Sequence, residues 1–302
     1  MARLTLGVVI PTRDRPRDLA RLLEALNRQT EPPDSILVVD NSEGDANSRL
    51  IKSYPSVTTI QDSTPNLPRL FNRGWNALND EIIGFLNDDA EPSSSWVSDL
   101  KQAFAALPDA AAIGGPTWDE QPRSLARLRR DRSLLYRLYD IFLVDGRASE
   151  YGYLSPWGSF SIGTEPPSTP TRVSGLTITN MAVRRDVLKK RGGFDEAFSF
   201  SDYDGYFFLC LKDASLPVYG IATASAVHHV NPVGSTRSPY WITRDRAILL
   251  RRRRGRSAAI SARLALGTLA VIGFWTFRAG RFEPRSMLLA VRGCLAGLQA
   301  RI

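Results

Sequence analysis

Ile82-Ile83-Gly84-Phe85-Leu86-Asn87-Asp88-Asp89-Ala90-Glu91-Pro92 runs from an apolar strand straight into a cluster of acids. Upstream, three further apolar runs alternate with helical patterns. Val8-Val9-Ile10 stops at Pro11, and the stretch from Arg15 to Arg28 carries Leu19, Leu22, Leu23 and Leu26 at helical spacing, with Pro16 in the first turn. Pro32-Pro33 ends that helix, and Ile36-Leu37-Val38-Val39 is an unbroken apolar run, as expected of a strand covered on both faces. A helix over 45–53, a strand over 57–60 and a helix after Pro68 lead back to the quoted segment. This βαβαβαβ order predicts an α/β fold, with a mostly parallel, Rossmann-like sheet flanked by helices. Ligands of such sheets bind beyond the carboxyl ends of the strands, so Pro11-Thr12-Arg13, Asp40-Asn41-Ser42 and Asn87-Asp88-Asp89 are the places to look.

Adjacent carboxylates at a strand end need a positive partner. A divalent cation, Mg²⁺ or Mn²⁺, bound between one or two carboxylates and phosphate oxygens would supply it. The plainer alternative is an acidic turn opening a helix near Ser95.

The 302 residues are 43% hydrophobic and 23% charged, an ordinary globular composition, with a net charge of +8 that favours an anionic partner. Two cysteines, Cys210 and Cys294, imply no disulfide framework. The amino-terminal apolar run is short and ends at Pro11, so it reads as a strand and not a signal peptide, and a cytoplasmic location is expected. Residues 120–172 hold a basic helix-like stretch and then an aperiodic Gly, Ser, Pro and aromatic segment, read as a long loop or lid. Regular structure resumes at Val173, and a separate carboxyl-terminal helical segment begins near Tyr240.

In order along the chain, Val8–Thr12, Leu37–Ser42, Asn66–Gly74, Phe85–Asp89, Asn180–Arg185 and Gly192-Gly193-Phe194-Asp195-Glu196 resemble the family 2 glycosyltransferases. The resemblance covers about residues 5–235 and implies a GT-A fold. It also implies transfer of a sugar from a nucleotide-diphospho-sugar (UDP, dTDP or GDP type) to a glycan or polyprenyl-linked acceptor, with inversion. A catalytic domain over 1–239 then divides into a donor half, about 1–118, and an acceptor half, about 119–239. In the roles the resemblance implies, Pro11, Thr12, Arg13, Asp40, Arg69, Asn72 and Asp88 line the donor site. Asp89 binds the metal, and Asn180, Ser201 and Asp204 face the acceptor. Asp202 is the general base; its alternative is a helix amino-terminal cap. Ser201 stands where the family has Glu, and Asn87 where its metal motif has a first acid. His228-His229, closing a small-residue strand over 222–227, are the only histidines. The resemblance brings one of them to the metal, His229 in preference to His228, and imidazole suits Mn²⁺ better than Mg²⁺.

The segment 240–302 opens with Arg251–Arg254 and Arg256, followed by the uncharged run Leu264–Phe277. Fourteen residues cannot cross a bilayer, which takes roughly 20. An interfacial helix at an anionic membrane surface is expected, placing the protein at the cytosolic face of the membrane. A buried helical hairpin or a homo-oligomer interface are the alternatives. Two other functions compete with this reading. A sugar nucleotidyltransferase would carry a Gly-rich loop after the first strand, where this chain has Pro11-Thr12-Arg13-Asp14. A nucleic-acid-binding protein would interleave aromatics with its arginines, which this chain does not.

Overall fold

The computed structural model describes residues 3–120, 134–161, 163, 165–229, 239–253, 258, 262–263, 265–269 and 284–301. Strands β1 (Leu6–Thr12), β2 (Ser35–Asp40), β3 (Val57–Gln61) and β4 (Ile82–Leu86) alternate with helices α1 (Pro16–Asn27), α2 (Ala46–Ile51) and α3 (Leu67–Ala77). They pair in parallel in the order β3-β2-β1-β4, as the sequence order predicts. Every residue of β1 and β4 is buried. With a side-chain period of two, Val9, Leu37, Val39, Ile83 and Phe85 pack on one face beneath α3. Val8, Ile10, Ile36, Val38, Ile82 and Leu86 pack on the other beneath α1. Apolar residues on both faces are what give these strands their unbroken hydrophobic runs.

Beyond β4 the sheet ceases to be purely parallel. Strand β5 (Ala90–Pro92) and α4 (Trp96–Ala106) are followed by β6 (Ala112–Gly114) and β7 (Thr117–Asp119). Helix α5 (Leu134–Leu143) and strand β8 (Thr171–Val173) precede β9 (Asn180–Arg184), which enters antiparallel between β4 and β6. Then come α6 (Arg185–Arg191), α7 (Tyr203–Asp213), β10 (Val218–Gly220) and β11 (Ala226–His228). The main sheet has the order β3-β2-β1-β4-β9-β6-β10-β8; β5, β11 and β7 form a separate small sheet. The strand expected over 222–227 is shorter and later than the sequence reading, because 222–224 bend and only 226–228 pair.

Helices α8 (Pro239–Arg253) and α9 (Pro284–Gln299) close the described chain. Ile248 and Leu249 of α8 are fully buried in the same cluster as Phe198, Phe207 and Phe208, so α8 shares the core that packs on this face of the sheet. Among the described residues no helix is long and apolar enough to cross a membrane. Most of Leu264–Phe277 lies outside the described residues, as do Arg254 and Arg256.

The described members of the arginine run are engaged by the protein itself. Arg251 bonds the carbonyls of Gly297 and Ala300, Arg252 pairs with Asp195 at 2.8 Å, and Arg253, buried, pairs with Asp213 at 2.6 Å. These three guanidinium groups fasten α8 to its neighbours and do not form a free cationic rim.

Candidate functional site

Strand β4 delivers its carboxylates to the carboxyl edge of the sheet, next to the end of β1. The Thr12 hydroxyl donates to Asp88 Oδ2 at 2.9 Å. Arg15 Nη1 lies 3.3 Å from Asp88 Oδ1 and 3.2 Å from Asp89 Oδ2, so one guanidinium is shared by both acids. Burial pushes the Asp88 carboxyl up to about 7 against the pull of Arg15, with Asp89 adding repulsion. Burial acts upward on Asp89 too, but His228 and Arg15 hold it below the usual carboxylate range.

The small sheet sets the histidines. In β11, His228 is in register with Ala90 on one side and Asp119 on the other. Its Nδ1 lies 2.9 Å from Asp119 and its Nε2 3.2 Å from Asp89 Oδ1. His229, one residue on, faces the other way and lies between Glu91 at 2.9 Å and Glu120 at 3.0 Å. The side chain brought to Asp89 is therefore that of His228, not the preferred His229, because alternation along the strand separates the two rings.

Do these groups fit a divalent cation? Asp89 Oδ1 is buried and lacks an aligned hydrogen bond. With Nδ1 held by Asp119, His228 Nε2 faces that oxygen at 3.2 Å: a protonated ring hydrogen-bonds it, and a cation that displaced the proton would take both atoms as ligands. One carboxylate, one oriented imidazole and open positions for phosphate oxygens suit Mn²⁺ or Mg²⁺. Among the described residues no three metal-binding side chains are grouped to hold an ion by themselves.

The other sequence candidates divide between the pocket and its supports. Arg69 is partly exposed, bonded to Asp62 at 3.1 Å, and Arg13 is exposed and paired with Glu43 at 2.8 Å. Pro11 is buried within β1. Three of these candidates are held by the protein itself. Asp40, wholly buried, accepts from the Ser42 amide and hydroxyl, from Asn47 and from Gln61, so its carboxylate is spent on ordering the loop after β2. Asn72 donates to the Phe194 carbonyl at 2.8 Å and to Glu196, and accepts from the Phe194 amide and Trp75. It clamps the Gly192-Gly193-Phe194 turn. Asn180 accepts from Trp96 at 2.6 Å and donates to the carbonyls of Pro116 and Ala224, so it ties its strand to helix α4 and to two loops.

Asp202 heads α7 with φ 59°, in the left-handed region that Asp tolerates better than most residues. Its side chain makes no capping bond to the helix. Instead Oδ1 pairs with Arg246 Nη2 of α8 at 2.8 Å, and Oδ2 takes a long 3.4 Å contact from the Ser201 hydroxyl. Burial raises Asp202 to about 6; Arg246 opposes this, while Asp245 and Asp204 add to it. Asp204 accepts from the Gly205 amide at 2.8 Å. The end of α7 feeds the start of β10, which runs parallel to β6, so the beginning of α7 lies toward the same edge of the sheet as Asp88 and Asp89. Phe194 bridges the two, with its ring 5.3 Å from Phe85 of β4 and 5.8 Å from Tyr203 of α7. Sequence reasoning missed Arg15, Asp119, Asp245 and Arg246. Arg15 opens the helical stretch two residues past Pro11-Thr12-Arg13, but the others show no local signal and are recruited only by the tertiary fold.

A mixed sheet with paired acids after its fourth strand and a buried Asp at the head of a later helix defines a GT-A-type architecture. Residues 7–192 match the model of glycosyl transferase family 2, and the chain belongs to that family. It is 26% identical over 231 residues to the O-antigen biosynthesis protein RfbC of Myxococcus xanthus, covering 74% of this chain but only 17% of that longer protein. Two solved structures share the fold. S. aureus TarS, residues 1–349, superimposes with a TM-score of 0.62 at 13% identity, covering 98% of this chain and 81% of that one. The mannosyltransferase PcManGT from Pyrobaculum calidifontis, in complex with GDP-Man and Mn²⁺, gives 0.56 at 16% identity, covering 100% and 77%.

Proposed function

We propose that this chain transfers a sugar from a nucleoside-diphosphate donor to an acceptor hydroxyl with inversion, using Asp202 as general base and a divalent cation at Asp89 and His228. The observation that carries this reading is the state of Asp202: buried, raised to about 6, with one oxygen fixed by Arg246 and the other lightly engaged. Such a carboxylate is ionised at neutral pH yet basic enough to take a proton. The acceptor oxygen forms its bond to the anomeric carbon while the bond from that carbon to the diphosphate oxygen breaks. The hydroxyl proton passes to Asp202 Oδ2, and the electron pair leaves with the diphosphate. A bound cation would supply neutralising charge for the departing diphosphate. Thr12, Arg15 and Asp88 shape the donor side, with Arg69 at its rim. Mn²⁺ in the mannosyltransferase neighbour supports the choice of cation.

Asp202→Asn keeps the shape and removes the base. Turnover should fall by about 10²-fold or more while donor affinity persists. Near-parental transfer rates would remove Asp202 from the reaction.

Peripheral membrane contact, and with it a polyprenyl-linked acceptor, rests on α9. Leu288, Val291, Leu295 and Leu298 recur at helical spacing and are 57%, 40%, 52% and 43% exposed, a stripe able to enter a lipid interface. Arg285, Arg292 and Arg301 on or beside the same helix suit an anionic surface at the cytosolic face.

A further inference from the structure

Helix α8 presents Arg244, Asp245 and Arg246 to the loop that ends in Asp202. Asp245 is fully buried, and its carboxylate accepts three successive backbone amides: Ser199 at 3.1 Å, Phe200 at 2.7 Å and Ser201 at 2.9 Å. Arg244 Nη1 reaches Asp245 Oδ1 at 2.8 Å, the Ala197 carbonyl at 3.1 Å and the Ser199 hydroxyl at 3.0 Å. Arg246, next along, holds Asp202 Oδ1 at 2.8 Å. Three consecutive N–H groups converge on one acceptor only if the backbone is curled around it. The residue that follows this curl is Asp202, held at positive φ.

The helix behind supports the clamp. A Cβ on Gly293 of α9 would lie 2.0 Å from the Tyr240 carbonyl oxygen, and one on Gly297 would lie 2.2 Å from that of Arg244. The two glycines thus let α9 lie directly on the α8 backbone, and the Thr243 hydroxyl adds a 2.6 Å bond to the Ala290 carbonyl.

We infer that Asp245 and Arg246 are positioning residues for the general base: Asp245 shapes the loop that presents Asp202, and Arg246 fixes and electrostatically tunes its carboxylate. The carboxyl-terminal helices are then part of the catalytic apparatus and not an appendage to it. This rests on the reading of Asp202 as base. Among the described residues, the charged groups that act most on Asp202 are Arg246 and Asp245 from α8 and Asp204 from α7, so removing Arg246 leaves two acids as the main influences on it.

The test uses the full chain, with UDP-glucose, GDP-mannose and dTDP-glucose offered in turn with Mn²⁺, and follows nucleoside-diphosphate release. Arg246→Gln should lower kcat at pH 7 at least tenfold, move the acid limb of the kcat profile upward by a pH unit or more, and leave donor KM within threefold. Arg246→Lys should restore most of the limb's position. Asp245→Asn should lower kcat more than tenfold with KM likewise unmoved. Should Arg246→Gln fold poorly, the same limb position read on Arg246→Met decides, since it also removes the charge while keeping much of the side-chain volume. An unmoved acid limb in the variant without the charge overturns the inference, as does donor KM rising in step with the loss of kcat. Asp202→Asn run alongside separates the two failures: if it retains turnover, the base assignment falls first; if it is inactive while the limb stays put, only the positioning role falls.

Discussion

Lowering the pH from 7.5 to 5 perturbs Asp202 without altering a single atom of the fold's core. With its carboxyl near 6, Asp202 is about 97% ionised at pH 7.5 and about 9% at pH 5. A base works only when ionised, so kcat should fall about tenfold across that window. The sign for stability is the reverse. A carboxyl raised above its unfolded value of 3.8 contributes stability that is fully present below about 3.8 and is lost as pH rises through about 6. Acidification therefore strengthens what Asp202 gives to the fold while silencing it as a base, and unfolding through this group cannot account for the loss of rate. Asp88, lifted to about 7 by burial, acts on the donor side, so kcat is measured at saturating donor and Mn²⁺ to keep it apart. The assay is a pH series of nucleoside-diphosphate release, with melting temperature recorded at each pH. A kcat that stays flat from 7.5 to 5, or that breaks only near 4, refutes the reasoning. So does a loss of rate that tracks a falling melting temperature.

His228→Ala should cut Mn²⁺-dependent stabilisation by donor at least tenfold in apparent affinity, while His229→Ala leaves it within threefold; isothermal titration with Mn²⁺ and donor decides, and equal losses count against the placement. Gly193→Ala should destabilise the fold by about 2–4 kcal/mol in urea melts. Its φ of 74° costs a side chain about 1–2 kcal/mol, and its Cβ would lie 2.3 Å from the Asn72 oxygen that accepts two hydrogen bonds, each worth about 1 kcal/mol. Replacing Leu288, Leu295 and Leu298 together by Gln should abolish binding to vesicles containing anionic lipid without changing nucleoside-diphosphate release; unchanged vesicle binding removes α9 from that role.

The parallel half of the sheet was legible because its strands are buried on both faces, and burial of that kind writes continuous apolar runs such as Ile36–Val39. The strand-end acids were legible for the same reason: where β4 stops, its polar residues must meet solvent or a ligand. The antiparallel entry of β9 between β4 and β6 was not, since Asn180–Arg184 looks the same in either direction. Nor was the division of labour among asparagines and aspartates. Asn72, Asn180 and Asp40 occupy the expected places, but their partners include carbonyls, an amide and an indole brought from 21 to 122 residues away, and no local pattern announces such partners. The choice of His228 over His229 depended on where β11 begins, a one-residue matter that the small residues of 222–227 leave open. The arginines after Tyr240 read as a surface cluster because charge runs usually are. Here Asp195, Asp213 and Asp202, dispersed through the preceding sequence, turn them inward.

In the function proposed here, a divalent cation at Asp89 couples binding of a nucleoside-diphosphate sugar to transfer. The most direct measurement compares the parent chain with Asp89→Ala for release of nucleoside diphosphate from UDP-glucose, GDP-mannose and dTDP-glucose, each with Mn²⁺ and with EDTA. At least one donor should be turned over by the parent in Mn²⁺, with the rate falling by about 10²-fold or more both in EDTA and in Asp89→Ala. The variant should melt within a few degrees of the parent, because the Asp89 side chain supports no apolar core. A donor turned over equally well in EDTA, or by Asp89→Ala, contradicts the claim.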